Sequence, residues 1–284
     1  LTPGVRRLML GGTIDGYDLV APADQQTLKD GGFQILNRPA FNILYLGMNQ
    51  KVKALSDIKV RQAIAYAINK DALIKQVMPQ GTTAAINFMP DNVTGWTENV
   101  TKYDYNPDKA KELLREAGQE NLTLDFNYPS GVSRPYMPSP EDIYTSLKAQ
   151  LEAVGIKVTP VVNQWNPDYL NKIQGGSSHG IHLLGWTGDY NDPDNFIGVF
   201  FGGQSNEWGF DNPELFKALK EARGMGDAAA QKTKYEEINK MISDFVPGVP
   251  LTHAPPSLAF AKGVQGYVPS PIQDEVWNGV TITK

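Results

Sequence analysis

The sequence predicts an α/β fold, and three observations support this prediction. Strand-like and helix-like segments alternate through the middle of the chain, in the order strand, helix, strand, helix, strand. The chain has 284 residues, enough for a large core, with 41% hydrophobic and 20% charged residues as in ordinary globular proteins. Its apolar runs are short and interrupted by Gly, Pro or charged residues, so the sequence predicts no membrane-spanning helix.

The helices are predicted from their first residues and their apolar periodicity. Most begin with Ser, Asn or Asp, which cap free backbone N–H groups, and two have Pro at the first helical position followed by an acid. Glycine follows two of them as a stop signal. The predicted helices run from Ser56-Asp57 to Ile68, from Asn69 to about Met78, from Asn106-Pro107 to Gly118, from Ser139-Pro140 to Gly155, and over 167–173, 213–223 and 228–245.

The strands of the middle region are predicted at 122–128, 156–162 and 181–186. The first of these alternates apolar and polar residues, as a half-buried strand does. The two ends of the chain differ from the middle, because 5–46 and 250–284 have the pattern of strands and turns, with little helix beyond 23–29. Two flanks of similar character suggest a domain that the chain enters twice.

Composition excludes several classes of function. The net charge is −5 and no basic patch is evident, which argues against a nucleic-acid partner. The absence of cysteine excludes disulfides, thiol catalysis and thiolate metal sites. The three histidines and the acids near 189–194 do not form a zinc or calcium pattern, so we expect no metal and no cofactor.

Three segments of the chain carry a family signature together. They are Phe41–Asn49 (FNILYLGMN) with Asp57–Asp71 (DIKVRQAIAYAINKD), Tyr105–Leu114 (YNPDKAKELL), and Gly185–Phe196 (GWTGDYNDPDNF). In this order and spacing they resemble the family 5 extracellular solute-binding proteins of ABC importers, the dipeptide- and oligopeptide-binding type. The resemblance extends from about Arg6 to the C-terminus.

The resemblance implies a periplasmic-binding-protein-like lobe of type II, in the peptide-binding cluster, with flanking strands of a partner lobe. Residues 1–46 correspond to the end segment of the first lobe, 47–248 to the second, ligand-binding lobe, and 249–284 to the return to the first lobe. The crossings near 46–48 and 249–251 are expected to act as a hinge. The start at Leu1 has no initiator Met or leader, so we expect a processed or truncated C-terminal portion.

The resemblance also implies a function without catalysis. The chain is expected to be no enzyme, to have no catalytic residues, and to act as the monomeric substrate-binding component of an ABC importer. Its partners would be a peptide or another small solute and the permease subunits in the membrane. Its location would be extracytoplasmic, either in the periplasm or at the cell surface as a lipoprotein.

Two charged residues are expected to bind the ends of a peptide. In peptide-binding members the acid after Gly-Trp-x-x binds the α-amino group, which corresponds to Asp189. In dipeptide-binding members the arginine of Arg-Pro-Tyr-x-Pro binds the carboxylate, which corresponds to Arg134, and a planar guanidinium suits this role. For an extended dipeptide, the two charged groups should lie about 10–13 Å apart. The pocket walls are expected from Trp186, Tyr190, Trp165 and Trp208.

Each assignment has an alternative. Asp189 could cap a turn, Arg134 could pair with Glu141 or Asp142, and each aromatic residue could belong to the core. The same cleft could bind oligosaccharides or metal chelates, or the chain could be a receptor domain for a peptide signal. A glycosidase using the acids of 189–194 is a further reading, but the family resemblance accounts for these residues better.

Overall fold

The computed structural model describes residues 2–175 and 178–283. Its strands are β1 (Gly16–Tyr17), β2 (Gln34–Asn37), β3 (Asn42–Met48), β4 (Thr83–Ala84), β5 (Thr123–Ser130), β6 (Lys157–Gln164), β7 (Ile181–Thr187), β8 (Gly248–His253), β9 (Ser257–Phe260), β10 (Val264–Gln265) and β11 (Thr281–Ile282). Its α-helices are α1 (Thr2–Leu10), α2 (Pro22–Asp30), α3 (Lys53–Ser56), α4 (Ile58–Ala67), α5 (Lys70–Val77), α6 (Pro107–Glu116), α7 (Pro140–Ala153), α8 (Leu170–Gln174), α9 (Ile197–Phe201), α10 (Pro213–Arg223) and α11 (Ala228–Phe245).

A mixed sheet forms the centre of the molecule. In the described part of the chain it contains six strands in the order β4-β8-β3-β7-β5-β6, and we call it the large sheet. Strands β5, β6 and β7 run parallel to one another, while β3 is antiparallel to both of its neighbours, β7 and β8. The fold is therefore α/β, as predicted.

The large sheet is covered by helices on both faces. Along β3, Leu44 and Leu46 point into a core cluster formed with α4 to α7. The alternate residues Ile43 and Tyr45 point into a second cluster, formed with α8 to α11. All of these side chains are fully or almost fully buried. A strand buried on both faces needs a nearly continuous apolar sequence, which explains the run from Ile43 to Met48.

Most predicted helices of the middle region are observed close to their predicted bounds. The helices α10 and α11 have the predicted limits, because the side chains of Asn212 and Asp227 cap their first turns. The helix predicted at 167–173 is a π-helical turn at Trp165–Tyr169 followed by α8. Helix α1 was not predicted, since Pro3 and Gly4 at its start obscure a short amphipathic pattern around the buried Met9.

The two flanks of the chain pair with each other. Strand β9 lies between β1 and β2 in a second, three-stranded sheet within the described residues, which we call the small sheet. The expected pairing between flanks is thus observed. Helices α1 and α2 accompany this sheet, and Met9, Val20, Leu28 and Ala259 form its core.

The predicted crossings between lobes lie inside strands of the large sheet. The boundaries at 46/47 and 248/249 fall in β3 and β8, which are adjacent strands of the large sheet. The segments 46–48 and 249–251 are mostly buried and hydrogen-bonded to neighbouring strands. The chain passes between the small sheet and the large sheet at 38–41 and at 254–256. The pattern of strand residues could not show which sheet each strand joins.

The start of β3 is hydrogen-bonded to the end of β8 and to the residue that follows it. The Asn42 side chain donates from Nδ2 to the Ala254 carbonyl at 2.8 Å, and its Oδ1 accepts from the Ala254 N–H at 3.1 Å. The His253 Nδ1 lies 2.6 Å from the Asn42 carbonyl oxygen. These buried contacts join the start of β3 to the end of β8.

Across residues 2–175 and 178–283, the helices are too short or too polar to traverse a bilayer.

Candidate functional site

The candidate site lies at one edge of the large sheet. Strands β5 and β6 end side by side, with Ser130 opposite Gln164, and β7 runs parallel to β5. Strand β3 is antiparallel to β7 and begins at this edge, with Asn42 opposite Thr187. We call this the carboxyl edge. The segments 38–41 and 254–256 also leave the large sheet here, so the site faces the passage to the small sheet.

Arg134 lies in a tight turn that follows β5. Its backbone exchanges two hydrogen bonds with Met137, of 3.0 and 2.9 Å. Its guanidinium carbon lies 5.3 Å from the centre of the Trp165 ring and 6.0 Å from that of Tyr136. The Arg134 Nε is buried without a hydrogen-bond partner. No carboxylate in the described residues lies within ion-pair distance of this guanidinium, and Asp142 instead accepts from Ser139.

Tyr136 connects the Arg134 turn to strand β7. Its ring packs directly on Gly185, where a Cβ atom would overlap it. The Tyr136 side chain is almost fully buried, and burial raises the pKa of its hydroxyl to about 12, although the Arg134 guanidinium acts in the opposite direction. The hydroxyl therefore stays neutral beside the guanidinium. This packing places Arg134 next to the end of the strand that leads to Asp189.

Asp189 lies on an exposed loop immediately after β7. The preceding Gly188 packs so closely between Phe41 and Phe196 that a Cβ would overlap both rings. The Asp189 N–H donates to Asn195 Oδ1 at 2.7 Å, and Asn195 Nδ2 donates to Asp189 Oδ2 at 3.2 Å. The loop thus presents the Asp189 carboxylate to solvent while the buried Asn195 holds it.

The other acids of this loop are used within the protein. Asp192 caps the 3₁₀ turn Pro193–Asn195 by accepting from the Asp194 N–H at 2.8 Å. The Asp194 carboxylate forms a two-point ion pair with Arg223, through Nε at 2.9 Å and an η nitrogen at 3.0 Å. The capping role considered for Asp189 therefore belongs to Asp192. Among the described residues Asp189 has no cationic partner, and unlike Asp192 and Asp194 its carboxylate neither caps a turn nor forms an ion pair.

The predicted aromatic residues divide into two groups. Trp165 is half-buried beside Arg134, Trp186 is half-buried at the end of β7, and Tyr190 is 58% exposed next to Asp189. Trp208 is only 2% exposed and packs among Tyr45 and other rings of the second core cluster. The assignment of Trp208 to the pocket wall is therefore corrected: it is a core residue, because β3 and α9 enclose its ring.

The comparison with protein families identifies the chain. The model for the middle region of bacterial extracellular solute-binding proteins, family 5, matches residues 3–208. The chain belongs to the family 5 bacterial extracellular solute-binding proteins. Members of this family are binding proteins, and the match includes both Arg134 and Asp189.

Curated relatives and solved structures agree with this family 5 assignment. The dipeptide-binding protein of Escherichia coli K12 is 33% identical over 268 residues, covering 92% of this chain and 50% of the relative. Heme-binding protein A of Haemophilus influenzae is 32% identical over 277 residues, covering 95% and 50%. The structure of a dipeptide-binding protein from Pseudoalteromonas sp. SM9913 in complex with Met-Leu has a TM-score of 0.86 at 25% identity, covering 99% and 56%. The chain thus spans about half the length of the curated relatives it matches.

Two contributors to this candidate site were not predicted. Asn195 lies within the Gly-Trp motif, and its spacing of six residues from Asp189 is short enough for a loop contact. Tyr136 lies within the Arg-Pro-Tyr motif, and its contact with Gly185 joins segments far apart in sequence. The glycine of the Gly-Trp pair is the sequence signal for the Tyr136 contact, since a glycine inside a buried strand often marks the close approach of another group.

The histidines and acids offer no metal centre in the described residues. All three histidines are buried: His179, His182 and His253 are 2%, 0% and 6% exposed. Across residues 2–175 and 178–283, no three His, Asp or Glu side chains group closely enough to hold a metal ion.

Proposed function

We propose that this chain is the C-terminal half of a two-lobed solute-binding protein that delivers di- or oligopeptides to an ABC importer. Asp189 would bind the α-amino group of the peptide and Arg134 its carboxylate. The chain would act by binding alone, as a monomer outside the cytoplasm, with the permease as its membrane partner. The half-length match to the curated relatives supports the two-lobed assignment.

One observation carries the peptide assignment. At a single edge of the large sheet, the protein presents an arginine and an aspartate that have no ion-pair partner in the described residues. Unpaired charges of opposite sign suit a zwitterion, whose two ends must both be compensated when it leaves water. The half-buried Trp165 and Trp186 would supply apolar contact to the residues between the two ends.

A metal chelate such as haem is the competing ligand, because a relative of 32% identity is named for haem binding. A haem iron usually takes a histidine, cysteine, methionine or tyrosine ligand. The chain has no cysteine, and its three histidines are buried. A coordinating side chain at the carboxyl edge would have to be the exposed Tyr190 or a residue of the other half.

The test is to identify the ligand that the two-lobed protein carries through purification. Native mass spectrometry should detect peptides bound at one per protein, and calorimetry should then show binding of the same free peptides. A peptide blocked at either end by acetylation or amidation should bind more weakly. Recovery of haem, recovery of an oligosaccharide, or equal affinity for free and blocked peptides would contradict the proposal.

A further inference from the structure

We propose that Asn195 is the positioning residue of this site: it orients the Asp189 carboxylate while leaving its negative charge unneutralised for a ligand ammonium group. This inference rests on the proposed function, and it adds a residue that touches no ligand. Asn195 contacts Asp189 directly, it is buried, and its turn is braced by neighbouring side chains.

The contacts of Asn195 fix which way its amide faces. Its Oδ1 accepts from the Asp189 N–H at 2.7 Å and from the Trp186 indole Nε1 at 3.5 Å. Since both groups can only donate, the oxygen must face them. The Nδ2 group is then directed at Asp189 Oδ2, 3.2 Å away. One amide thus holds the backbone and the carboxylate of the same residue.

The turn that carries Asn195 is braced from behind. Asn195 is only 4% exposed, and its N–H donates to the Asp192 carbonyl at 3.0 Å. The side chain of Asp192 caps this turn, and Asp194 forms a two-point ion pair with Arg223. A side chain with so few alternatives can hold a neighbouring carboxylate in one orientation. The exposed Asp189 therefore depends on a buried, rigid partner.

The Asn195 amide is an uncharged donor, and this bears on which ligands Asp189 can bind. A lysine or arginine at this position would also orient Asp189, but it would cancel the charge that a ligand ammonium needs. An amide donates one hydrogen bond and contributes no net charge. In the described residues, Asn195 Nδ2 is the side-chain donor to this carboxylate, and no cation lies within ion-pair distance. The arrangement favours ligands with a free amino group.

The binding test compares the dipeptide Met-Leu with its N-acetylated analogue in the complete two-lobed protein. Asn195→Ala should reduce the preference for the free amine by roughly tenfold or more, as expected when a hydrogen bond to a charged group is lost. A purely structural role would weaken both ligands equally and leave the preference unchanged. Asn191→Ala is the matched control, because Asn191 is exposed on the same loop and should not alter the preference.

A second variant and a ligand-free measurement cover the remaining outcomes. If Asn195→Ala does not fold, Asn195→Ser should show the same loss of preference, since its hydroxyl is too short to reach Asp189. Asn195→Asp places a second carboxylate against Asp189, so its melting temperature should fall further below wild type as pH rises from 4 to 8. Asn171→Asp, at an exposed position of α8, is the control, and its difference in melting temperature from wild type should stay nearly constant over the same pH range.

The outcomes separate the two proposals. A wild-type protein that does not distinguish Met-Leu from its acetylated form would overturn the proposed function, and the ligand role of Asn195 with it. A wild-type protein that distinguishes them, with an unchanged preference in Asn195→Ala or Asn195→Ser, would overturn the inference about Asn195 alone. If the melting temperature of Asn195→Asp differs from that of wild type by the same amount at every pH from 4 to 8, Asn195 does not hold the Asp189 carboxylate.

Discussion

The Arg134 guanidinium is placed by aromatic rings, and no carboxylate of the described residues pairs with it. Trp165 and Tyr136 lie within 5.3 and 6.0 Å of its central carbon, and both attract a cation through their ring faces. The rings restrict the side chain without neutralising it. Its charge is therefore available to an anionic group, in the same way that the charge of Asp189 is available to a cationic one.

Replacing Arg134 by Ala should weaken free dipeptides selectively in the two-lobed protein. The expected loss is roughly 2–5 kcal/mol, because a buried ligand carboxylate would be left without its partner. A C-terminally amidated dipeptide has no carboxylate to strand, so its affinity should change little. Calorimetry with both ligands is the measurement. Equal losses would show that Arg134 only supports the pocket.

Motifs in the sequence indicated the charged residues proposed for the site, whereas the packing of their surroundings was not predicted. Asp189 and Arg134 were assigned through motifs, and the structure places both after parallel strands of one sheet. Their separation of about 10–13 Å stays a prediction. The position of Trp208 was wrong because a tryptophan's environment depends on tertiary packing. Asn195 was missed because a supporting hydrogen bond has no sequence signature of its own.

His253 makes stability depend on pH. Burial lowers the pKa of its imidazole from 6.5 to about 4, although the hydrogen bond to the Asn42 carbonyl acts in the opposite direction. In the unfolded chain the ring takes up a proton near its ordinary pKa, and in the folded chain it resists protonation. The contribution of the neutral His253 to the free energy of unfolding is therefore complete above pH 6.5 and is lost as pH falls towards 4.

The variant His253→Asn should remove this dependence. Its side-chain amide can still donate to the Asn42 carbonyl but does not titrate. Between pH 6.5 and 4, wild type should lose on the order of 3 kcal/mol more unfolding free energy than the variant. Urea unfolding at several pH values measures the difference. Parallel pH profiles for the two proteins would mean that His253 titrates normally in the folded state.

At the scale of elements, Arg61 joins the ends of two helices. This buried residue of α4 donates to the carbonyls of Phe245 and Val246 at the end of α11, and of Leu55 and Ser56 at the end of α3, at 2.9–3.0 Å. Burial lowers the pKa of its guanidinium to about 10, which leaves it charged at neutral pH. One side chain thus satisfies carbonyls that helix ends leave free.

The variant Arg61→Leu should be destabilised by at least about 3 kcal/mol, because several buried carbonyls would lose their donor together. The same substitution at the exposed Arg115 of α6 is the control and should change stability by less than about 0.5 kcal/mol. Urea denaturation followed by circular dichroism measures both. Similar midpoints for the two variants would refute this role of Arg61.

The elements were predictable where a local signal defines them. Helices α10 and α11 have their predicted bounds, and the structure shows Asn212 and Asp227 capping their first turns. Strand partners were not predictable, because β3 and β8 have the same apolar character whether they join the large or the small sheet. Their assignment depends on contacts such as Asn42 with Ala254, more than two hundred residues apart.

At the scale of the whole molecule, both crossings between the sheets lie at the carboxyl edge, beside the candidate site. Rotation about 38–41 and 254–256 would therefore change the space in front of Arg134 and Asp189. A cleft that closes in this way takes binding energy from both of its walls. In the proposed cleft, this chain would supply the wall that carries Arg134 and Asp189.

The 284-residue chain alone should therefore fold but bind peptides weakly. We expect no binding of micromolar or greater strength to Met-Leu by calorimetry, since one wall of the proposed cleft is largely supplied by the other half. The complete two-lobed protein is the positive control under the same conditions. Micromolar or tighter binding by the 284-residue chain would show that a single wall is sufficient.

The hydrogen bonds between Asn42 and Ala254 also bear on how this lobe could be handled as a module. They hold the beginning and the end of a segment of about two hundred residues side by side, and adjacent termini favour excision and domain insertion. We therefore expect the segment 42–254 to tolerate insertion into a surface loop of an unrelated host, because its two ends already lie side by side. Such a chimera would couple the geometry of the host loop to whatever occupies the carboxyl edge, which is the basic design of an inserted biosensor.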